Sequence, residues 1–520
     1  MKIRLNHANY KLLGYESEFL DQEINNIVLE CEGWIIECSD NQFHLIEIPN
    51  ENIETFNVLV KRLTYVHSAE SSESSESSES SCLIEQPLQA LYEASCHKTG
   101  GKKRQATRYG AHGLHEYKGK FNPQIVSAIA NLFELSQGDK VLEPFCGSGT
   151  TLYQSELIGM ESNGFDFNPL AVYITNTKLA SLNLNADVVL GEICSIVKKV
   201  KENIQKIDVD VEKNERTDYL QKWFDRDQFL KIESLKITLE TSEISREAKD
   251  VCLCIASDLI REYSQQEPAD LRIRRRKSPL PEVCFFDALM SKIEDFLTRV
   301  NCISPFVTEI VDNSKAFNVD IRDAQGLLKF RNYDAAITSP PYATALPYID
   351  TQRLSLVWLD FASPKEVKIL ENNLIGSREL TKKEERFLRE QIETNADNIP
   401  DELHNLCLDM LKSLGETDGF RRQAMPYVVY RYFVDMKLMF TNVFDMLKPK
   451  GKFGLVVGHN QTTLGGKLFL LDTPNYLRVI AESVGWDSLQ NVSLDVYKRY
   501  DLHKANSINS ETLVVLQKPD

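Results

Sequence analysis

Two short stretches carry residues whose types and order could do chemistry. Glu143-Pro144-Phe145-Cys146-Gly147-Ser148-Gly149-Thr150-Thr151 follows an apolar run, Lys140-Val141-Leu142, that reads as a strand. Glycines at 147 and 149 allow a tight turn and let the backbone approach a ligand with no Cβ in the way. Seventeen residues after Gly149, Gly164-Phe165-Asp166-Phe167-Asn168-Pro169 puts Asp166 at the tip of a second strand, where a carboxylate can accept both hydroxyls of a ribose. The other stretch, Ser339-Pro340-Pro341-Tyr342, follows the apolar strand Asp334-Ala335-Ala336-Ile337. Two successive prolines stiffen that loop, the Ser339 hydroxyl and Pro340 carbonyl are hydrogen-bond acceptors, and Tyr342 offers a flat ring for stacking.

The first stretch, with an acid at its head, resembles the cofactor loop of the DNA amino-methyltransferases, usually D-P-F-x-G-x-G-T. The second resembles their target-amine loop. The resemblance covers about residues 110–190 and 315–518. It implies S-adenosyl-L-methionine as cofactor, held by Phe145, Gly147, Gly149 and Thr150, with Asp166 on the ribose and Glu143 available to the methionine ammonium. His112 to Pro123 resembles the segment that caps the methionine end, which adds Tyr117 and Phe121. Val319-Asp320-Ile321-Arg322-Asp323-Ala324 resembles the loop whose acid meets the adenine amine, which adds Asp323.

The catalytic set implied is Ser339, Pro340, Pro341 and Tyr342. An exocyclic amine is a weak nucleophile because its lone pair is delocalised into the ring. Acceptors at Ser339 and Pro340 would draw that pair out of conjugation, and Tyr342 would stack on the base once flipped from the helix. Within the family, Ser at the head of the tetrapeptide resembles the cytosine-N4 enzymes, and Asp or Asn the adenine-N6 enzymes. The chain has no Pro-Cys dipeptide, so carbon-5 methylation lacks an obvious nucleophile.

The expected activity is methylation of cytosine N4 in a duplex DNA site, as the modification component of a restriction–modification or related defence system, with adenine N6 second. Three rivals remain. A tRNA guanosine-N2 methyltransferase would carry Asp-Pro-Pro-Tyr-Gly where this chain has Ser339 and Ala343, and a protein glutamine methyltransferase would prefer Asn at 339. A noncatalytic DNA-recognition subunit sits poorly with intact Glu143, Asp166, Asp323, Ser339 and Tyr342.

The elements that must position these loops form an α/β alternation from about 110 to 185, resumed near 317. The expected fold is Rossmann-like, with a mixed, mostly parallel sheet, a helical insertion and a small N-terminal α+β module. Boundaries fall at 1–66 for that module, 67–97 for an acidic Ser/Glu-rich linker, 98–189 for the cofactor half, 190–310 for the insertion and 311–520 for the target half. The last contains a charged helical excursion, 361–425. The linker carries Glu-Ser-Ser four times and has nothing to bury. The insertion is the candidate for reading DNA sequence, with 361–425 as alternate.

With 520 residues, 42% hydrophobic and 26% charged, the composition is that of an ordinary globular protein of two to four domains. The N-terminus turns polar at once and no long apolar run follows, so a cytoplasmic location and no membrane contact are expected. Eleven cysteines contain no C-x-x-C pair, which argues against zinc sites and a disulfide framework. A net charge of −16 is unusual for an enzyme of DNA, so any phosphate contacts must be local. Candidates are Lys102, Lys103 and Arg104, near Lys98 and Arg108, and the run Arg272, Arg274, Arg275, Arg276 and Lys277.

Overall fold

A computed structural model of the chain describes residues 1–39, 42–72, 84–94, 105–204, 214–270, 273–307, 313–343, 348–495 and 510–520. Among these, thirteen strands form three sheets: β1 (Lys2–His7), β2 (Trp34–Ser39), β3 (Phe43–Glu47), β4 (Val66–Ser71), β5 (Lys140–Glu143), β6 (Glu161–Phe165), β7 (Lys315–Phe317), β8 (Tyr333–Thr338), β9 (Leu447–Gly458), β10 (Asn460–Leu464), β11 (Lys467–Leu471), β12 (Asp487–Asp495) and β13 (Ser510–Gln517).

The central sheet has the order β12-β13-β9-β8-β5-β6-β7. Pairs β5/β6, β5/β8, β6/β7 and β8/β9 are parallel, while β13 runs antiparallel to β9 and β12. This is the Rossmann-like arrangement expected. Its order grows outward from β5 in both directions, which opens a crevice at the carboxyl ends of β5, β6 and β8, where such sheets bind ligands.

Strict alternation along the strands explains why both faces are covered. Val141, Ala335, Ile337, Val456, Leu513 and Val515 share a core with the helices Gly14–Glu30 and Pro123–Leu132. Their neighbours Leu142, Ala336, Leu455, Val514 and Leu516 pack against the helices Met425–Met446 and Thr473–Val484. Two helices beside the crevice are started by their own sequence. Asn122 and Asn168 cap helices that have proline at their first position, each accepting from the backbone N–H two residues on.

The inserted stretch is helical: Ala186–Asn203, Glu215–Leu220, Arg226–Thr241, Arg246–Leu259 and Phe285–Ile303. It shares one core with Tyr153, Leu157, Leu170 and Ile174 of the cofactor half and with Trp358 of the helix Tyr348–Trp358. The N-terminal sheet has the order β2-β3-β1-β4 with a β-α-β-β-α-β chain order, the ferredoxin-like arrangement. Its last strand runs through Ser71, past the boundary expected at 66, because Ser68 to Ser71 pair with the edge of β1. Tertiary pairing overrides a composition that alone favours a linker. The Glu-Ser-Ser repeats beyond it fall mostly on 73–83, outside the described residues, as do Lys98, Lys102, Lys103, Arg104 and Arg272.

No helix among the described residues is long and apolar enough to cross a membrane.

Candidate active site

The carboxyl ends of β5, β6 and β8, with Tyr117, Gly119, Lys120, Phe121, Val319–Arg322, Tyr348 and Asn373–Ile375, line a cleft of about 940 Å³ including its open mouth. Glu143, Phe145, Gly147, Thr150, Asp166, Tyr117, Phe121, Ser339 and Pro341 all face it. Two motifs 190 residues apart in sequence thus share one space.

The glycine loop is held open by its neighbours. Gly147 and Gly149 have φ of +48° and +74°, and a Cβ on Gly149 would lie 2.5 Å from the Thr175 methyl group. Gly149 therefore shapes the loop from behind, outside the lining, and caps the helix Thr150–Leu157. From the helix Pro169–Ala180, Thr175 Oγ1 donates to the Gly147 carbonyl at 3.0 Å and Lys178 Nζ to that of Ser148 at 2.5 Å. The two side chains are three residues apart, hence on one helix face. Lys178 is fully buried, which pushes its ammonium down to about 7.

Asp166 accepts from Gly147 N at 2.9 Å and from Asn168 N at 2.8 Å. Burial pushes its carboxyl up to about 6, against the pull of those two bonds. Glu143 is 3% exposed and accepts from Phe145 N at 3.0 Å, Thr151 Oγ1 at 2.6 Å and Thr338 Oγ1. Burial outweighs these donors and lifts it to about 8. Because Thr338 immediately precedes Ser339, the Glu143 carboxylate ties the cofactor loop to the target loop. Much of its acceptor capacity is spent inside the protein, so its task includes holding the two loops together.

The target loop is fixed from two sides. Tyr432, fully buried on the helix Met425–Met446, donates its hydroxyl to the Pro341 carbonyl at 3.0 Å, and Tyr342 donates to Glu511 on β13 at 2.8 Å. Pro340 is buried and Tyr342 half-buried, and neither is part of the cleft lining.

Asp323 is displaced from the expected place. It is exposed, lies outside the lining and accepts from Gln325 N. The turn closed by Asp323 N donating to the Asp320 carbonyl faces Asp320 into the cleft instead. Asp320 is clamped by Arg322, which also reaches Asp435 at 3.0 Å and the Asn373 carbonyl at 2.7 Å.

The described arginines of the insertion's basic run make local contacts, although Arg274 and Arg275 stay exposed. Arg274 pairs with Asp270 at 2.9 Å, Arg275 lies 4.7 Å over the Trp223 ring and donates to the Lys222 carbonyl, and Arg276 donates to the Glu262, Ser264 and Ser278 carbonyls. These guanidinium groups staple a loop, and only Lys277 of the described run is exposed without such bonds from its side chain. Of the residues that sequence reasoning missed, Thr175, Lys178, Tyr348, Tyr432 and Glu511 carry no local signal, since each reaches the site through tertiary packing, whereas Thr338 adjoins Ser339 in the sequence.

No family model matches the chain. A curated relative, the type II methyltransferase M.BsoBI of Geobacillus stearothermophilus, is 22% identical over 417 residues, covering 74% of this chain and 80% of the relative. The type II methyltransferase M.MvaI of Kocuria varians is 20% identical over 290 residues, 52% of this chain, which spans 63% of that relative's length. Among solved structures, an S-adenosylmethionine-dependent methyltransferase from Methanosarcina mazei aligns with a TM-score of 0.26 and 8% identity over 75% of this chain and 97% of its own. At that score the fold rests on the strand order. Strand order and glycine loop define an S-adenosylmethionine-dependent methyltransferase. In sequence the chain is similar to these type II DNA methyltransferases.

Proposed function

We propose that the chain methylates the exocyclic N4 of cytosine at a specific site in duplex DNA, as the modification half of a restriction–modification system. The observation that carries this reading is Ser339 in the wall of the same cleft as Gly147 and Asp166.

The residues present suit the cofactor. Three carboxylates, Glu143, Asp166 and Asp320, face a cleft whose wall also carries Phe145, Phe167, Val319 and Ile321, a setting for a cation with apolar flanks. Asp166 binds the ribose, Asp320 in place of Asp323 faces the adenine amine, and Tyr117 and Phe121 close over the methionine end. When bound, S-adenosylmethionine supplies an electrophilic methyl group on a positively charged sulfur. The chain's own work is to orient the amine. Ser339 Oγ and the Pro340 carbonyl accept its N–H bonds, return the lone pair to nitrogen and hold the proton that nitrogen must shed to solvent. Tyr342 stacks on the extruded base, and Tyr432 and Thr338 keep the loop from shifting.

Mass spectrometry of nucleosides from DNA and RNA of a host expressing the protein tests this. N4-methylcytosine in DNA is the expected product, absent with Ser339→Ala. N6-methyladenine alone would overturn the base assignment, and modified RNA with unmodified DNA would overturn the substrate.

A further inference from the structure

We infer that the β10–β11 hairpin and the short helix Phe420–Gln423 form a DNA-reading edge, with the hairpin as a two-stranded ribbon in the major groove. This rests on the DNA methyltransferase reading and deepens it.

The hairpin stands beyond the target loop. Thr338 pairs with Leu455 of β9, and β9 continues to Gly458, which pairs with Glu511, the partner of Tyr342. The hairpin starts two residues later, so it rises from the level of the stacking tyrosine by about 3.3 Å per residue. Its root therefore lies two residues from the strand position opposite Glu511, the anchor of Tyr342.

It is also rigid. His459 Nδ1 meets Asp472 at 3.1 Å across its base. At its tip, buried Asp418 accepts from Gly415 N at 2.9 Å and Gly465 N at 2.7 Å. A Cβ on Gly465 would lie 2.2 Å from the Ser413 carbonyl, so the turn is seated against the loop that precedes Phe420.

Its two faces differ sharply. Leu464, Phe469 and Leu471 are buried in the core, whereas Leu468 and Leu470 are 56% and 68% exposed. Register sets Thr463 opposite Leu468 and Gln461 opposite Leu470. The open face therefore offers an amide and a hydroxyl beside two apolar groups. Gln can bond bidentately to adenine, Thr to several base edges, and an apolar group can meet a thymine methyl. A ribbon of this width fits the major groove.

Charge points to the same partner. In a chain with 76 acidic residues out of 520, none occurs from Leu447 to Leu471 or from Gly419 to Val434. Arg421 and Arg422 are exposed beside Phe420, itself 76% exposed, and Arg422 approaches Asp418 only to 3.8 Å. Their place next to the hairpin suits contacts to flanking phosphates.

The test uses the full chain. Arg421→Ala with Arg422→Ala should weaken binding to all duplexes alike and lower the slope of log affinity against log salt by about 0.9 per lost phosphate contact. Gln461→Ala should relax the methylated sequence at one base pair, cutting discrimination there about 5- to 150-fold. Cofactor affinity by calorimetry and melting temperature should match the parent protein for both. An unchanged site and salt slope in folded, cofactor-binding variants would overturn the inference. So would Leu468→Ser with Leu470→Ser converting a dimer to a monomer with DNA binding intact, which would make this face a contact between copies. Failure of the parent protein to methylate any DNA would instead sink the reading beneath it.

Discussion

The Tyr342 hydroxyl donates to the Glu511 carboxylate across 2.8 Å, joining residues 169 positions apart. The ring at the end of the target loop is thereby aimed by the antiparallel strand β13, opposite Gly458 of β9. Removing the hydroxyl keeps the stacking surface but frees the ring. Tyr342→Phe should lower single-turnover methylation a fewfold, and Tyr342→Ala by about tenfold or more, in line with stacking worth roughly 1–3 kcal/mol per base. Cofactor affinity should hold in both. Equal loss of cofactor binding would make the loop a structural turn.

Cofactor affinity should be acid-sensitive through Asp166. Its free carboxyl sits at about 6, and ribose hydroxyls bind the ionised form, so binding should strengthen with pH up to about 6 and level off above. Stability runs the other way. A carboxyl raised from 3.8 favours the ligand-free fold most at low pH, and that contribution is lost as pH rises through 6. Asp166→Asn should weaken the cofactor by about 1–3 kcal/mol and flatten the acid limb, which calorimetry between pH 5 and 8 would read out.

Glu143, at about 8, is largely protonated at neutral pH in the free protein. A cationic ligand favours its ionised form. Titrations at pH 7 in buffers of differing ionisation enthalpy should show release of up to about one proton per cofactor bound, fading as pH rises past 8. Glu143→Gln should abolish the release. No proton release in the parent protein would mean that this carboxylate serves the loops alone.

Arg276 should matter for stability and not for DNA. It spans three carbonyls, at 2.5, 2.9 and 3.1 Å. Arg276→Ala should cost about 1–3 kcal/mol in denaturant melts by orphaning them, with the salt slope of DNA binding unchanged.

What could be read from the sequence was what is contiguous in it. The glycine loop, the Ser-Pro-Pro-Tyr loop and the strands feeding them announce themselves because their function needs unusual residues side by side. Asp320 was hidden behind Asp323 because only the turn decides which acid faces inward. The charge of the arginine run is visible in a sequence, while the Trp223 ring and the carbonyls that its side chains also contact are not. Likewise β4 was hidden in a serine-rich stretch, since its pairing comes from β1 and not from its own residues.

The helix Gly14–Glu30 shares its core with β9 and β13, so once made it awaits partners that lie far downstream in the sequence. At about 5–20 residues per second, roughly half a minute to a minute and a half separates their synthesis. Through that interval the apolar flank of a nascent ferredoxin-like unit stays open to solvent and to chaperones. Yield of this protein in a host should therefore depend on translation speed and holdase capacity more than its final stability would suggest.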